Sequence, residues 1–317
     1  MTKPFAPGTI SLGLSAVGGT ASEVLTRMTT ESRAAVAAGF DGVTISEHHA
    51  GFPRYVSSPL AISALLLARL ERGWAVAAPT VLPLRNPIPV AEDLAWLAAA
   101  YPGRVGAAFV AGYQRRDFEV IGVDFDSRHR MLWEGVAKIR AVFEDESPLA
   151  ADPAIAQATG ASLPLLVGIG GPVGAHRAGG LGLGILATSL RPPNELRAIV
   201  DEYREAGGAG PAVLIRRIHV GQAASGFAGS MEHWRAQAPG SADWLQADES
   251  ALLLGSAEDV AERLVSALLT SGCTALNIRI DAYATRPELV AEQIELIGSG
   301  VLPMVRAALT SQMALTE

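Results

Sequence analysis

What most constrains this chain is a regular alternation: short apolar segments and segments of helical spacing follow one another through most of its length. Thr9–Leu14, Val43–Ile45, Trp74–Leu82, Arg104–Val110, Leu163–Ile169, Leu183–Thr188, Ala212–Val220 and Ala275–Ile280 read as strands. They are short and apolar, as strands are when helices cover both faces of a parallel sheet. Ser22–Ala38, Pro59–Leu70, Pro87–Ala100, Ser127–Phe143, a short stretch after Gly170-Gly171, Pro193–Ala206, Ala257–Thr270 and Pro287–Leu309 read as helices. Gly39 supplies a C-terminal stop, and Pro87 sits in a first turn. About eight strand–helix pairs is the number that closes a (β/α)8 barrel. An open doubly wound sheet shares the alternation, but the strand count favours the barrel. The expected architecture is α/β, a TIM barrel forming one domain over residues 1–317. Two excursions, near 144–162 and 222–250, are expected to be loop insertions.

Composition narrows the partners. The 317 residues carry 25 basic and 32 acidic side chains, a formal charge of −7, with no run of Lys or Arg. Nucleic acid and anionic membrane are therefore poor partners. A single cysteine, Cys273, excludes an internal disulfide framework or a multi-thiolate metal site, and is expected to be a buried small hydrophobe. The beginning of the chain lacks the apolar run of a signal peptide, and no apolar segment approaches a membrane span. A soluble cytoplasmic protein is expected.

On a barrel, chemistry belongs at the carboxyl ends of the strands. After the second strand stand Glu47, His48 and His49. The third ends in Ala78, Pro79 and Thr80. The fourth is followed by Ala111, Gly112, Tyr113 and Gln114, then Arg115, Arg116 and Asp117. After the fifth come Gly168, Gly170, Gly171, Pro172, Val173 and Gly174. Neighbouring residues of an extended chain point oppositely, so only one of His48 and His49 is expected to face the mouth. That imidazole could move a proton near neutrality or anchor a cofactor; the plain alternative is a solvated loop. No second His/Asp/Glu pair stands at ligand spacing, so no metal is expected. The glycine-rich turn at 168–174 precedes a helix and suits a phosphate, or is simply a tight turn. It is neither a Walker loop nor a dinucleotide fingerprint. Pro79, inside a strand, marks a bulge, a strand end or a cis bond from Ala78. Asp117–Asp126 reads as a structural loop entering a helix, with Asp126 or Ser127 as N-cap.

Four segments in order carry a resemblance. They are SEHH at 46–49, VLPLRNPIPVAEDLAWL at 81–97, PGRVGAAFVAGYQRRDFEVIGVDFDSRHRMLWEGV at 102–136, and LLLGSAEDVAERLVSALLTSGCTALNIRI at 252–280. Together they resemble the bacterial luciferase-like superfamily of flavin-dependent oxidoreductases. The resemblance implies a (β/α)8 barrel, usually dimeric, that binds reduced FMN or the deazaflavin F420 at the carboxyl rim. It implies that His48 is the active-site histidine beside the flavin ring. The Ala78–Pro79 bond falls where members carry a cis peptide that supports the ring. Ala111, Gly112 and Tyr113 match the loop at the ring edge, and Gly170, Gly171 and Gly174 match the phosphate loop, here through backbone amides. With their neighbours, the implied cofactor-binding set is Glu47, Ala78, Pro79, Thr80, Ala111, Gly112, Tyr113, Gln114, Gly170, Gly171, Val173 and Gly174. Glu47 is expected to steady the histidine rather than react.

Val110 and Ala111 depart from the polar or thiol residues of light-emitting members. Tyr113 stands where F420-dependent sugar-phosphate dehydrogenases carry a glutamate. The activity this implies is two-component monooxygenation of a small organic substrate. Reduced FMN would come from a separate reductase and O2 would be the oxidant. His48 would steady or protonate the product of flavin and oxygen, and the 222–250 loop would exclude water. F420-dependent hydride transfer, with an F420 reductase as partner, is the alternative. A non-catalytic flavin-binding barrel is a third reading.

Overall fold

The computed structural model describes residues 2–144, 148–160, 163–187, 191–221, 252–280 and 287–316. The 222–250 excursion therefore lies outside the described residues. Strands β1 (Ile10–Leu14), β2 (Gly42–Ile45), β3 (Trp74–Val81), β4 (Ala107–Val110), β5 (Leu165–Ile169), β6 (Gly184–Ala187), β7 (Ala212–Val220) and β9 (Ala275–Ile280) pair in parallel and close on themselves. The ring is sealed by β1 against β9, β9 against β7, and β7 against β6. This is the (β/α)8 barrel that the alternation predicts, not an open sheet. One further strand, β8 (Leu252–Gly255), was not expected. It runs parallel to Arg217–Val220, on the β7 edge where the β6 pairing has ended, and extends the wall at the carboxyl rim.

Helices α1 (Ala21–Ala37), α2 (Pro59–Leu67), α3 (Pro87–Ala100), α4 (Arg115–Ile121), α5 (Arg128–Val142), α6 (Pro153–Ala158), α7 (Pro172–Gly180) and α8 (Pro193–Glu205) follow in order. They are succeeded by α9 (Ala257–Ser271), α10 (Pro287–Leu296) and α11 (Leu302–Thr316). Local chemistry starts several of them. Thr20 with Glu23, and Ser256 with Asp259, form reciprocal capping boxes. Asn86 and Asp152 accept from first-turn amides, each followed by proline at the first helical position.

Three expectations need correcting here. Asp117–Asp126 is not a simple loop: its first half is α4, closed by Gly122 at φ +79° with amide bonds back to Phe118 and Glu119. Neither Asp126 nor Ser127 caps α5 through its side chain. Asp124 instead accepts from the Asp126 amide and the Ser127 hydroxyl, which fixes the turn before the helix. The expected single closing helix is interrupted by a π turn at Ile297–Val301.

Two layers of apolar packing hold the barrel. The larger lies between strands and helices. The smaller fills the inside: Trp74, Val76 and Ala78 of β3 meet Ala108, Leu166, Leu186, Val213, Ile215 and Ala275 from the other strands. Phe5, on the chain ahead of β1, closes this interior against Trp74, with ring centroids 5.1 Å apart. Gly42 is required opposite, because a Cβ there would lie 2.1 Å from the Trp74 ring. The β9–β1–β2 side of the interior is polar instead. Asn277 Nδ2 donates to Ser11 Oγ (2.9 Å) and Thr44 Oγ1 (3.0 Å). Inside the barrel an apolar half thus faces a polar half.

Candidate active site

At the carboxyl rim the strands surround a cavity of about 330 Å³. Its apolar side is Pro79 and Val81 of β3, Val110 at the end of β4 and Ala111 just after it, Ile169, Leu186 and Ile215. Its polar side is Ser46, His48, Arg191, Arg217 and Arg279, with Tyr55, Tyr113 and Glu47 completing the wall.

The stretch after β2 is built by backbone bonds to its neighbours. The Glu47 amide donates to Pro79 O (3.0 Å) and the His48 amide to Val56 O (3.1 Å). This extended backbone sends His48 and His49 to different places. His48 faces the cavity, and its Nδ1 stands 2.7 Å from Asp117 Oδ2, with both side chains buried. A carboxylate only accepts, so Nδ1 carries the proton and Nε2 is the nitrogen left for a ligand. Asp117 Oδ1 also accepts the His49 amide at 3.1 Å, so one carboxylate holds both the ring and the backbone behind it. Phe52 stacks on the imidazole at 4.2 Å, and Tyr55 and Tyr113 meet it edge-on at 4.6 and 5.1 Å.

Glu47 was expected to steady the active-site histidine, and it serves the other one. Its Oε1 meets His49 Nε2 at 2.8 Å and accepts from Arg85; its Oε2 accepts the Val81 amide at 2.7 Å. The group ties the β2 loop to the end of β3, and Arg85 bonds Ser57 O at 2.8 Å as well. The partner of His48 is Asp117, which sequence reasoning placed in a structural loop. No spacing rule connects residues 48 and 117; the pair exists because α4 lies over the β2 loop.

The Ala78–Pro79 peptide is cis. Pairing with β4 shifts register between Ala77 and Thr80, so β3 carries an extra residue there and Pro79 is set against the cavity. Proline lacks an N–H, so no ladder donor is stranded. Gly112 has φ +82°, and a Cβ on it would lie 2.7 Å from Val81 Cγ1 and 3.0 Å from the Phe118 ring, so only glycine fits beside the bulge.

Of the expected cofactor residues, Glu47, Pro79, Ala111, Gly112, Tyr113 and Gly170 line the cavity. Ala78 and Thr80 are buried beside Pro79, and Gln114 precedes α4 as its N-cap residue, outside the wall. Gly171 caps α7 in extended conformation, Val173 is 83% exposed, and Gly174 packs on Ile169 and Trp133. The sequence placed Asp117 on the rim loop after the fourth strand without a role, and did not single out Tyr55, Phe52, Arg191, Arg217 or Arg279. Arg217 and Arg279 carried a signal: each is a charge in the carboxyl-terminal half of a barrel strand.

The donor set suits a flat, partly polar ring. The cavity volume lies in the range of small-molecule sites, one wall is apolar, and the space around Gly170 and Gly171 is open to 4 Å from where a Cβ would be. Pro79, Ala111 and Gly112 would support a ring face or edge, and the amides at the start of α7 would meet a phosphate.

The sequence matches the model of the luciferase-like monooxygenase family over residues 7–220, and the chain belongs to that family. Over 119 residues, 37% of this chain, it is 29% identical to the alkanal monooxygenase alpha chain of Photorhabdus laumondii. That stretch spans 33% of the relative's length, so the chain matches about a third of these curated relatives. Among solved structures, monooxygenase RslO1 from Streptomyces bottropensis superposes with a TM-score of 0.80 at 20% identity, covering 93% of this chain and 99% of that one. The oxygenating constituent of 3,6-diketocamphane monooxygenase from Pseudomonas putida, solved with FMN, gives 0.73 at 17% identity, covering 94% and 99%. An F420-dependent secondary alcohol dehydrogenase, solved with an F420–acetone adduct, gives 0.73 at 18% identity, covering 96% and 99%. At such identities these likenesses show the fold. Among the described residues no helix is long and apolar enough to cross a membrane.

Proposed function

We propose that this protein is a flavin-dependent monooxygenase. It takes reduced FMN from a separate reductase, uses O2, and oxygenates a small organic substrate in the rim cavity. The observation that carries the reading is His48, locked through Nδ1 by buried Asp117 on the wall of a cavity backed by Pro79 and the Ala111-Gly112 turn. Family membership and the FMN found in a structure of the same fold support the cofactor.

Reduced flavin, when bound, would supply two electrons. The chain's own residues do the rest. His48 Nε2 holds or passes a proton beside the reacting atoms, and Asp117 keeps the ring in one tautomer and stabilises its protonated form. Val110, Leu186 and Ile215 keep water from the apolar half, which protects a reactive intermediate. A homodimer in the cytoplasm is part of the proposal.

Hydride transfer from F420 is the second reading, favoured by the F420-bound structure of like fold. The test is anaerobic titration of the purified chain with reduced FMN and, separately, reduced F420. FMN binding in the low micromolar range or tighter, with O2 consumed on mixing, is expected. Tight F420 binding with negligible FMN binding would sink the first reading in favour of the second. Binding of neither would make the barrel non-catalytic.

A further inference from the structure

A second buried imidazole stands at the rim, on β7. His219 is 9% exposed, and its Nδ1 is closed off with no hydrogen-bond partner. Among the described residues its ring makes no ion pair or ring contact either. The alternation of β7 fixes its direction. Leu214, Ile218 and Val220 pack outward between strands and helices. Val213 and Ile215 belong to the interior, and Ile215 and Arg217 line the cavity. His219 continues that inner face, one pleat beyond Arg217 toward the rim. The backbone that carries it is tied. β8 pairs alongside, with Leu254 as register partner of His219. The next residue, Val220, is clamped by Gln293 of α10, which accepts its amide at 2.8 Å and donates to its carbonyl at 2.9 Å. Every main-chain group nearby is thus provided for, and the imidazole is not.

An unpaired buried polar group costs stability, and native structures keep few of them. His48 is the paired case: Asp117 holds its Nδ1 and so fixes its tautomer. Among the described residues nothing fixes the tautomer of His219, so its ring can donate or accept as a ligand demands. With Nδ1 shut off, Nε2 is the nitrogen left for that ligand. The closed ring of strands also sets its place in the site. β4, β5 and β6 separate β7 from β3 on one side, and β2, β1 and β9 on the other, so His219 stands across the barrel from Pro79. A cofactor ring resting on Pro79 would have the substrate between itself and β7. We propose that His219 is a substrate-binding residue, which hydrogen-bonds a hydroxyl group of the substrate through Nε2. A hydroxyl donates as well as accepts, so it suits either tautomer. The apolar lining from Val110 and Leu186 suits the carbon body that carries it. The substrate class is then an alcohol or phenol. This rests on the monooxygenase reading for the word substrate; the unmade hydrogen bond of the imidazole does not.

A hydroxyl could also come from the ribityl chain of a flavin, so the test separates the two sources. Nitrogen NMR of the flavin-free chain, carrying isotope-labelled histidine, is recorded with 2-naphthol and with 2-methylnaphthalene. The two probes differ by a hydroxyl in place of a methyl. 2-Naphthol is expected to shift the His219 ring resonances, which report tautomer and hydrogen bonding, and 2-methylnaphthalene to move them little. In fluorescence titrations His219→Leu should weaken 2-naphthol by about tenfold, the size of one buried hydrogen bond, and 2-methylnaphthalene by less than about threefold. His219→Gln, whose amide also donates and accepts, should keep part of the discrimination. Unmoved His219 resonances at saturating 2-naphthol, or absence of 2-naphthol binding, overturn the proposal and need no variant to fold. So does a ratio of the two affinities that His219→Leu leaves unchanged. Resonances that move with reduced FMN and not with 2-naphthol would give the imidazole to the cofactor and overturn the substrate assignment. If FMN binds and O2 is consumed while 2-naphthol leaves the ring unmoved, this inference falls and the monooxygenase reading stands. If neither FMN nor F420 binds while 2-naphthol moves the ring, the hydroxyl site stands and that reading falls.

Discussion

The role proposed for His48 rests on Asp117. A lone imidazole presents either nitrogen, whereas one bonded to a carboxylate at 2.7 Å presents Nε2. Asp117→Asn keeps the volume and places an amide where the acceptor was. The asparagine can then donate to Nδ1 and turn the tautomer round. Turnover with reduced FMN and O2 is expected to fall by about 10²-fold or more, as it does when a proton-handling group is misaligned, while flavin binding holds within a few fold. His48→Ala should match it, and the double variant should lose little more than either single one. Unchanged turnover in Asp117→Asn, measured by stopped-flow absorbance, would refute the dyad. Glu47, equally buried, is a brace: three partners anchor the β2 loop through it. Its position one residue before His48 is what made it look like the histidine's companion, because a sequence shows which residues are adjacent and not which way they turn.

At the scale of elements, the closing helix shows why regular spacing can break. From Pro287 to Leu309 the sequence reads as one continuous helix, yet the backbone widens into a π turn at Ile297–Val301. Gly298 lies there against the end of α1: an added Cβ would be 2.6 Å from Ala38 Cβ and 2.7 Å from its carbonyl oxygen. Gly300 meets Ala257 Cβ at 2.7 Å in the same way. The glycines let the closing helix sit directly on α1 and α9. Gly298→Ala should destabilise by about 1–3 kcal/mol through overpacking against backbone that cannot retreat. Urea unfolding should show this as a lower midpoint with unchanged slope; an unchanged midpoint would mean the helices part without cost. The two glycines were visible in the sequence, but nothing marked what they would touch. Strand β8 was missed for a related reason. Leu252–Gly255 is too short to show a period, and it is a strand because the end of β7 offers a free edge.

For the whole molecule, Glu31 contributes a dependence of stability on pH. It lies in α1 at 6% exposure, against the end of β1. Burial pushes its pKa up to about 7, with the nearby Arg27 drawing it partly back. A carboxyl whose folded pKa is raised has no effect where both states are protonated. It destabilises progressively as pH rises from the unfolded value of 4.5 to about 7, and the penalty is complete above that. Glu31→Gln should therefore stabilise by about 3 kcal/mol or less at pH 8 and by under about 1 kcal/mol at pH 5. Thermal unfolding at the two pH values checks this; an equal gain at both would remove ionisation as the cause.

What the sequence determined by itself was the barrel and the rim on which the candidate site would lie. Strand–helix alternation is local, since each segment's apolar pattern is set by which faces it must bury, and eight repeats leave few ways to bury them all. Pro79, Gly112, Tyr113 and the His48–His49 pair were legible because the rim is defined by strand ends, and the choice of His48 within the pair came from the family resemblance. The tertiary structure alone decided which side chains meet. Asp117 reaches His48 across 69 positions, and Arg217 stands beside Arg279 because β7 and β9 are neighbours in the closed ring. Such pairs depend on register and on how a short helix lies over a loop, and these are settled only when all the elements pack at once.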